Sequence, residues 1–197
     1  MTSQTGKNPR KNIWEKYWGN TNPIDRIIGW IKIKWGYKKL LKPFNFYNIQ
    51  ISLELGAGKA YLSKILKEQV RYIICIDNDL MLVINNQDYV DKYYFGDMFR
   101  CLLPKADLVL SCGVIEHFKI PKLKKLAKKI NSHYILMFYP SCDWKWRLLW
   151  KLRGIKLNHY QHSNQDLGKV FGNYKCSFGY INFFGLHYNY VYGVKCL

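Results

Sequence analysis

The stretch Leu53-Glu54-Leu55-Gly56-Ala57-Gly58-Lys59-Ala60 joins a run of apolar residues to a helical pattern. Its two glycines let the backbone turn tightly and approach a ligand closely. The helix that follows offers free N–H groups at its first turn. A dinucleotide fingerprint would need a third glycine at position 61, where this chain has Tyr61, so hydride chemistry is disfavoured. The acid Glu54, two positions before the first glycine, suits a cationic ligand group.

Two further acids follow short predicted strands. Asp77 ends the next apolar run, where a carboxylate can accept hydrogen bonds from both hydroxyls of a ribose. Asp77 can equally cap a helix that begins near Asp79. After the third strand, Asp97 can accept from an adenine amino group and Met98 can cover the ring. The alternative for these two residues is a plain turn.

The stretch from Asp107 to Phe118, DLVLSCGVIEHF, is the last of the four motifs. It predicts a buried strand, a glycine turn and then two adjacent titratable side chains, Glu116 and His117. An acid and an imidazole at the end of a strand are residues from which acid–base chemistry can be built.

From about Ile49 onward, apolar runs of strand length alternate with helical patterns, which predicts an α/β fold with a mostly parallel sheet. The predicted strands are Ile51–Leu55, Tyr72–Ile76, Tyr93–Phe95, Leu108–Ser111, Tyr134–Phe138, Gly179–Phe184 and Tyr188–Val194. The predicted helices are Ala60–Lys67, Pro121–Ile130 and a short helix from Ser163, which opens a capping box with Asp166, to Phe171. The last two strands, joined by a short link, predict an antiparallel hairpin at one edge of the sheet.

Taken in order, the four motifs resemble the class I S-adenosylmethionine-dependent methyltransferases over about residues 46–197. ELGAGKA is similar to the family's first motif, Asp77 to its ribose acid, Gly96-Asp97 to its adenine loop and DLVLSCGVIEHF to its fourth-strand motif. The resemblance implies a Rossmann-like sheet of seven mostly parallel strands, an antiparallel C-terminal strand and helices on both faces. Ala60 departs from the third glycine of the first motif, but alanine is small enough to keep the turn.

The resemblance also implies S-adenosylmethionine as the cofactor. The implied cofactor-binding residues are Glu54, Gly56, Ala57, Gly58, Asp77, Asn78, Asp97, Met98 and Ser111. Glu116 and His117 are the implied catalytic residues, with a structural or substrate-orienting role as the alternative for Glu116. A Glu-His ending looks most like the branch that modifies small molecules, quinones, sugars and lipids. His117 either accepts a proton from the substrate or only lines the site. His159 and His162 either face the substrate mouth or lie on the surface.

The charge of the chain is unevenly distributed. The chain has 31 Lys and Arg residues and 13 Asp and Glu residues. Residues 1–45 contain 10 basic and 2 acidic residues, and residues 119–197 contain 14 basic and 2 acidic residues. All seven tryptophans fall outside the nearly neutral middle, at positions 14, 18, 30, 35, 144, 146 and 150. A helix start at Asn22-Pro23 predicts a helical segment. We therefore expect a basic, Trp-rich helical cap over 1–45 and a core over 46–197.

The two basic, Trp-rich flanks, residues 14–42 and 144–156, suggest an anionic partner. They can lie on an anionic membrane surface and serve a lipid or quinone-like substrate, or grip RNA phosphates and stack bases. They can also be ordinary soluble surface. The alternatives to small-molecule methylation are an RNA methyltransferase and a non-catalytic scaffold of the same fold.

The sequence predicts neither a structural metal site nor a membrane-spanning segment. The six cysteines form no Cys-x-x-Cys pair, so no structural metal site is expected. No apolar run reaches the roughly 18 residues of a membrane span, and residues 1–11 have no hydrophobic signal core. We expect a cytoplasmic protein, with peripheral attachment to a membrane as the variant that the flanks suggest.

Overall fold

A computed structural model describes residues 36–86, 90–152, 159–183 and 185–196 of the 197-residue chain. Most of the predicted helix from Asn22 to Pro43 lies outside these residues, and within them the chain is helical at Lys38–Leu41. The strands are β1 Ile51–Leu55, β2 Tyr72–Asp77, β3 Lys92–Phe95, β4 Leu108–Cys112, β5 Tyr134–Pro140, β6 Tyr174–Phe183 and β7 Leu186–Lys195. The α-helices are α1 Lys38–Leu41, α2 Tyr61–Leu66, α3 Leu80–Asn86, α4 Ile120–Lys129, α5 Trp144–Leu152 and α6 Asn164–Val170, and a 3₁₀ turn spans Ile115–His117.

The seven strands form one sheet in the order β3-β2-β1-β4-β5-β7-β6. The first five strands are mutually parallel, and β7 runs antiparallel to both β5 and β6. This confirms the predicted sheet and its antiparallel C-terminal strand. The strand order reverses between the neighbouring strands β1 and β4, which makes this position the switch point of the sheet. In open α/β sheets, ligands bind beside such a point, at the carboxyl ends of the strands.

Side chains alternate between the two faces of the sheet, as the period of a strand requires. In β1, Leu53 and Leu55 belong to one apolar cluster, while Ser52 and Glu54 point to the opposite face. That opposite face is covered by α1, α2 and the buried Trp146 of α5. The face of Leu53 is covered by α4 and α6. The helices therefore lie on both faces, as predicted.

Helix α6 begins as the sequence predicts. The Ser163 hydroxyl accepts a hydrogen bond from the backbone N–H of Asp166 at 3.0 Å. The hairpin is longer than predicted, since β6 and β7 pair over all ten residues of each, from Tyr174 opposite Lys195 to Phe183 opposite Leu186. Polar residues and glycines interrupt the apolar alternation in β6, so the pattern missed its first half, residues 174–178. In β7 the prediction missed only Leu186 and His187 at the start and Lys195 at the end.

The described part of the N-terminal segment packs on the sheet. Leu40 and Leu41 of α1 are buried in the core beside α2. Phe44 lies edge-on to Phe138 of β5 and to Tyr190 of β7, with ring centroids 5.8 and 5.2 Å apart. Residues 36–45 are therefore continuous with the core, and residues 1–35 lie outside the described residues.

Candidate functional site

The turn from β1 into α2 has the backbone of a glycine-rich ligand loop. Gly56 and Gly58 adopt φ values of 63° and 57°, and Ala60 adopts 52°. All three lie in the left-handed region, where glycine is favoured because a Cβ is crowded by the backbone. Ala60 therefore takes the conformation expected of the third glycine. A Cβ added at Gly56 would lie 2.7 Å from Cγ2 of Val114, so this position tolerates no side chain.

Asp77 joins this turn to the end of β2. One carboxylate oxygen accepts a hydrogen bond from the N–H of Gly58 at 2.8 Å, and the other accepts from the N–H of Asp79 at 2.9 Å. Burial raises the pKa of Asp77, and these hydrogen bonds oppose that shift. The cap of α3 is Asp79, which accepts from the N–H of Met81 at 3.0 Å. Helix capping therefore does not occupy Asp77, and Asn78 beside it is exposed.

Glu54 lies beneath the turn. Its carboxylate accepts hydrogen bonds from the backbone N–H of Ser63, at 3.0 Å, and from the Ser63 hydroxyl, so it fixes α2 against β1. Glu54 is 3% exposed, and this burial raises the pKa of its carboxyl group to about 7. The contacts of Glu54 are thus internal to the protein, on the side of the turn that faces the core.

Met98 reaches the turn from the loop after β3. Its terminal methyl lies 3.5 Å from where a Cβ of Gly56 would be. Asp97 accepts a hydrogen bond from the N–H of Phe99 at 2.9 Å, which closes a local turn and supports the plain-turn role. Its side chain is 40% exposed, so its remaining acceptor positions are open to a ligand as well.

Ser111 lies inside the sheet. Its hydroxyl donates to the sulfur of Met137 on the neighbouring strand β5, at 3.1 Å, and the residue is 1% exposed. In this geometry Ser111 links β4 to β5. Ser111 is therefore buried between the strands and is not at the surface of the site.

Two residues that hold the site together were missed by sequence reasoning. The Tyr93 hydroxyl of β3 donates to the carbonyl of Gly58 at 2.6 Å. The Lys129 ammonium of α4 donates to the carbonyls of Met98 and Cys101, at 2.9 and 2.5 Å. Neither residue lies in a motif, and no local pattern indicates that either side chain reaches a distant backbone carbonyl.

Glu116 and His117 lie in the 3₁₀ turn after β4, next to Val114. Glu116 is 2% exposed, and its Oε1 lies 3.7 Å from Nε2 of His117. Its other oxygen, Oε2, has no hydrogen-bond partner among the described residues. Burial raises the pKa of Glu116 to about 8.

His159 joins this pair. Its ring centroid lies 4.9 Å from that of His117. The segment that carries it is tied to the 3₁₀ turn, because the N–H of Tyr160 donates to the carbonyl of Glu116 at 2.7 Å and Nε2 of His162 lies 3.2 Å from the carbonyl of Ile115. His159 therefore lies against His117, a contact that the distance between the two residues along the chain hid.

Helix α5 shows that the tryptophans of the second basic flank do not all lie on the surface. Trp146 was expected among its surface tryptophans, but it is 3% exposed, donates through its indole N–H to the carbonyl of His187 at 3.0 Å and packs edge-on against Tyr188. Among the side chains of this helix whose exposure is described, Trp144 and Leu148 are the large apolar ones that are exposed. Residues 153–156 of the flank lie outside the described residues. No helix within the described ranges is long and apolar enough to cross a membrane.

Solved structures share this architecture. Magnesium protoporphyrin IX methyltransferase from Synechocystis PCC 6803 with bound S-adenosylhomocysteine is 16% identical, with 94% of this chain and 93% of that chain covered and a TM-score of 0.65. Human N-acetylserotonin methyltransferase with S-adenosylmethionine is 17% identical, with coverage of 83% and 52% and a TM-score of 0.63. The pyocyanin biosynthetic protein is 11% identical, with coverage of 93% and 62% and a TM-score of 0.69. The chain has the class I methyltransferase fold.

No protein-family model and no curated protein sequence matches the chain. At these identities the likeness concerns the methyltransferase fold. Within that fold, the glycine turn, Asp77 and Met98 meet at the carboxyl edge of the sheet beside its switch point. Glu116, His117 and the associated His159 follow β4 at the same edge, and Val114 connects the two groups because it contacts Gly56.

Proposed function

We propose that this protein transfers a methyl group from S-adenosylmethionine to a small or amphiphilic acceptor. The observation that carries the proposal is the position of Asp77. Its carboxylate ends β2, is bonded to the glycine turn and is not used as a helix cap. A buried carboxylate held open beside a ligand loop is suited to a ribose, because each oxygen keeps a further lone pair for a hydroxyl donor.

The residues present fit this cofactor. Gly56, Ala57 and Gly58 would line its path, Asp77 would hold its ribose, and Met98 would cover its adenine. Asp97 and the exposed Asn78 flank the same space, whereas Glu54 and Ser111 would support the site from within. When bound, the cofactor supplies a methyl group that its sulfonium makes reactive. The protein's own task is then to align the acceptor and keep water out.

The acceptor would enter at the Glu116–His117 end. An oxygen or nitrogen acceptor loses a proton during methylation, so a titratable cluster belongs at this point. Base stacking on helix α5 would fall to the exposed Trp144, because Trp146 is buried, so the described tryptophans do not by themselves favour RNA. A small acceptor is supported by the names of two proteins of similar fold, which refer to magnesium protoporphyrin IX and N-acetylserotonin.

Calorimetric titration of S-adenosylhomocysteine tests the cofactor site. We expect the wild type to bind and Asp77→Ala to lose most of that affinity. The matched control is Glu68→Ala, which removes an exposed acid that follows the end of α2. If the wild type does not bind, or if Asp77→Ala binds equally well, the proposal is wrong, and a non-catalytic scaffold becomes the better explanation.

A further inference from the structure

The cluster after β4 contains more ligating atoms than proton transfer needs. The donor atoms of Glu116, His117 and His159 all lie within 4.8 Å of one another. Oε1 of Glu116 and Nε2 of His117 are 3.7 Å apart. In a tetrahedral zinc site with bonds of about 2.0–2.1 Å, donor atoms lie about 3.3 Å apart. Small side-chain rotations would therefore bring all three donors onto one ion.

Glu116 supplies a second, independent observation. The residue is 2% exposed, yet Oε2 has no hydrogen-bond partner among the described residues. A buried carboxylate oxygen without a partner is destabilising, and buried charges are normally paired or bound to a metal. A cation bound by both oxygens of the Glu116 carboxylate would give Oε2 its missing partner, while Oε1 already lies near His117.

The site is also held in place by the backbone. The carbonyls of Ile115 and Glu116 contact His162 and the N–H of Tyr160 respectively, and these contacts fix the segment that carries His159 over the 3₁₀ turn. His159 is thus positioned beside His117 by Tyr160 and His162, which follow it in the chain. Such support is typical of sites whose ligands come from separate parts of the chain.

The donor set indicates which ion would bind. Two imidazole nitrogens and one carboxylate are the ligands of catalytic zinc sites, which keep a fourth position open. Calcium and magnesium prefer sites made of oxygen ligands. Cysteine sites are a different class, and the six cysteines, all within the described residues, form no disulfide and no Cys-x-x-Cys motif.

We propose that Glu116, His117 and His159 bind one divalent first-row transition metal ion of the zinc type. Its open position would take a hydroxyl oxygen of the acceptor, which a bound divalent ion helps to lose its proton to solvent water. The oxygen would then form its bond to the methyl carbon as the carbon–sulfur bond of the sulfonium breaks and S-adenosylhomocysteine leaves. This last step rests on the methyl transfer proposed above, whereas metal binding itself does not. Acceptors with a hydroxyl group, such as phenols, would be the substrates that fit this site.

Metal binding is testable on the full chain without any methyl donor. After dialysis against a chelator, the protein is titrated with zinc chloride by calorimetry, and the stoichiometry is checked by elemental analysis. We expect one zinc per chain and a loss of affinity of about a hundredfold or more in His159→Ala. Glu116→Gln should weaken binding too, while His133→Ala, at an exposed histidine elsewhere, should bind like the wild type. Circular dichroism melting shows whether each variant is folded.

Cobalt substitution distinguishes this site from the cysteines. Cobalt bound by the cluster should give visible d–d absorption without a thiolate charge-transfer band, and His159→Ala should abolish the absorption. A thiolate band, or zinc binding that the ligand variants leave unchanged, would overturn the proposal. So would the absence of zinc binding. Titration of S-adenosylhomocysteine into the same metal-free protein reports on the cofactor site separately, so either proposal can fail while the other stands.

Discussion

The carboxylate of Asp77 accepts the backbone N–H of Gly58 at 2.8 Å, while the Tyr93 hydroxyl donates to the carbonyl of the same glycine at 2.6 Å. Both polar groups of Gly58 are therefore held by side chains of the two strands that follow the turn. The acid faces the proposed cofactor, and the tyrosine fixes the turn from the side of β3. The shape of the turn thus depends on long-range contacts as well as on its own glycines.

Tyr93→Phe should loosen the turn. The variant removes the hydroxyl and leaves the Gly58 carbonyl without this donor, which costs about 1–2 kcal/mol of stability. We expect a matching loss in the free energy of urea unfolding and a several-fold weaker affinity for S-adenosylhomocysteine. Tyr47→Phe, at a tyrosine that is 86% exposed, is the control. Equal unfolding curves for Tyr93→Phe and the wild type would contradict this role of the hydroxyl.

Glu54→Gln should flatten the dependence of stability on pH. The pKa of Glu54 is raised from 4.5 to about 7 in the folded protein, so between these values the folded state holds a proton that the unfolded state has lost. Its stabilising contribution is complete below about pH 4.5 and is lost as the pH rises through about 7. This upward shift of the pKa corresponds to on the order of 3 kcal/mol in the free energy of unfolding.

Urea unfolding of the wild type and Glu54→Gln at several pH values between 4.5 and 8 measures this difference. Glutamine keeps a neutral group that can bond to Ser63. Asp77 raises the pKa of Glu54, and Glu54 in turn raises the pKa of Cys75, so the difference between the curves reports the titration of Glu54 together with its effect on these neighbours. The exposed Glu68→Gln should follow the wild type. Parallel curves for Glu54→Gln and the wild type would show that Glu54 is charged in the folded state.

The sequence was sufficient for the order of the elements and for the residues at the glycine turn. Local chemistry decides these features: glycines permit positive φ, apolar runs form strands, and an acid after β2 must lie at the carboxyl edge. Even Ala60 could be assigned, since an alanine in place of a motif glycine keeps the required conformation at the modest cost of a left-handed φ.

The contacts that the sequence did not indicate join residues far apart in the chain. Lys129 is one lysine among several on α4, and only the packed fold brings its ammonium to the carbonyl of Met98. His159 meets His117 for the same reason. Trp146 was misplaced because its neighbours are basic, and its burial depends on Tyr188 of β7, which no local pattern can include.

Lys129→Met should weaken the adenine side of the cofactor site. Methionine keeps the apolar stem of the side chain but donates no hydrogen bond to the carbonyls of Met98 and Cys101. Hydrogen bonds from a charged donor contribute about 1.5–3 kcal/mol, so we expect a lower melting temperature and an affinity for S-adenosylhomocysteine about tenfold lower. Lys128→Met on the exposed side of α4 removes the same charge without these contacts. A similar affinity in both variants would show that only the charge matters.

Helix α5 should mediate any attachment to an anionic membrane. Its exposed Trp144 and Leu148 lie among the exposed basic residues Lys145, Arg147 and Lys151, the arrangement of an interfacial helix. Trp144→Ala combined with Leu148→Ala should therefore reduce co-sedimentation with vesicles of mixed neutral and anionic lipid, whereas Trp146→Ala should act mainly through stability.

Sedimentation at low and high salt completes this test, because the basic side chains contribute an electrostatic part that salt screens. Binding to vesicles that Trp144→Ala with Leu148→Ala weakens would support a lipid-facing helix and an amphiphilic acceptor. If the wild type does not sediment with vesicles at low salt, the membrane role is wrong. Binding to short single-stranded RNA with a steep salt dependence would then identify the basic flanks as a nucleic-acid surface.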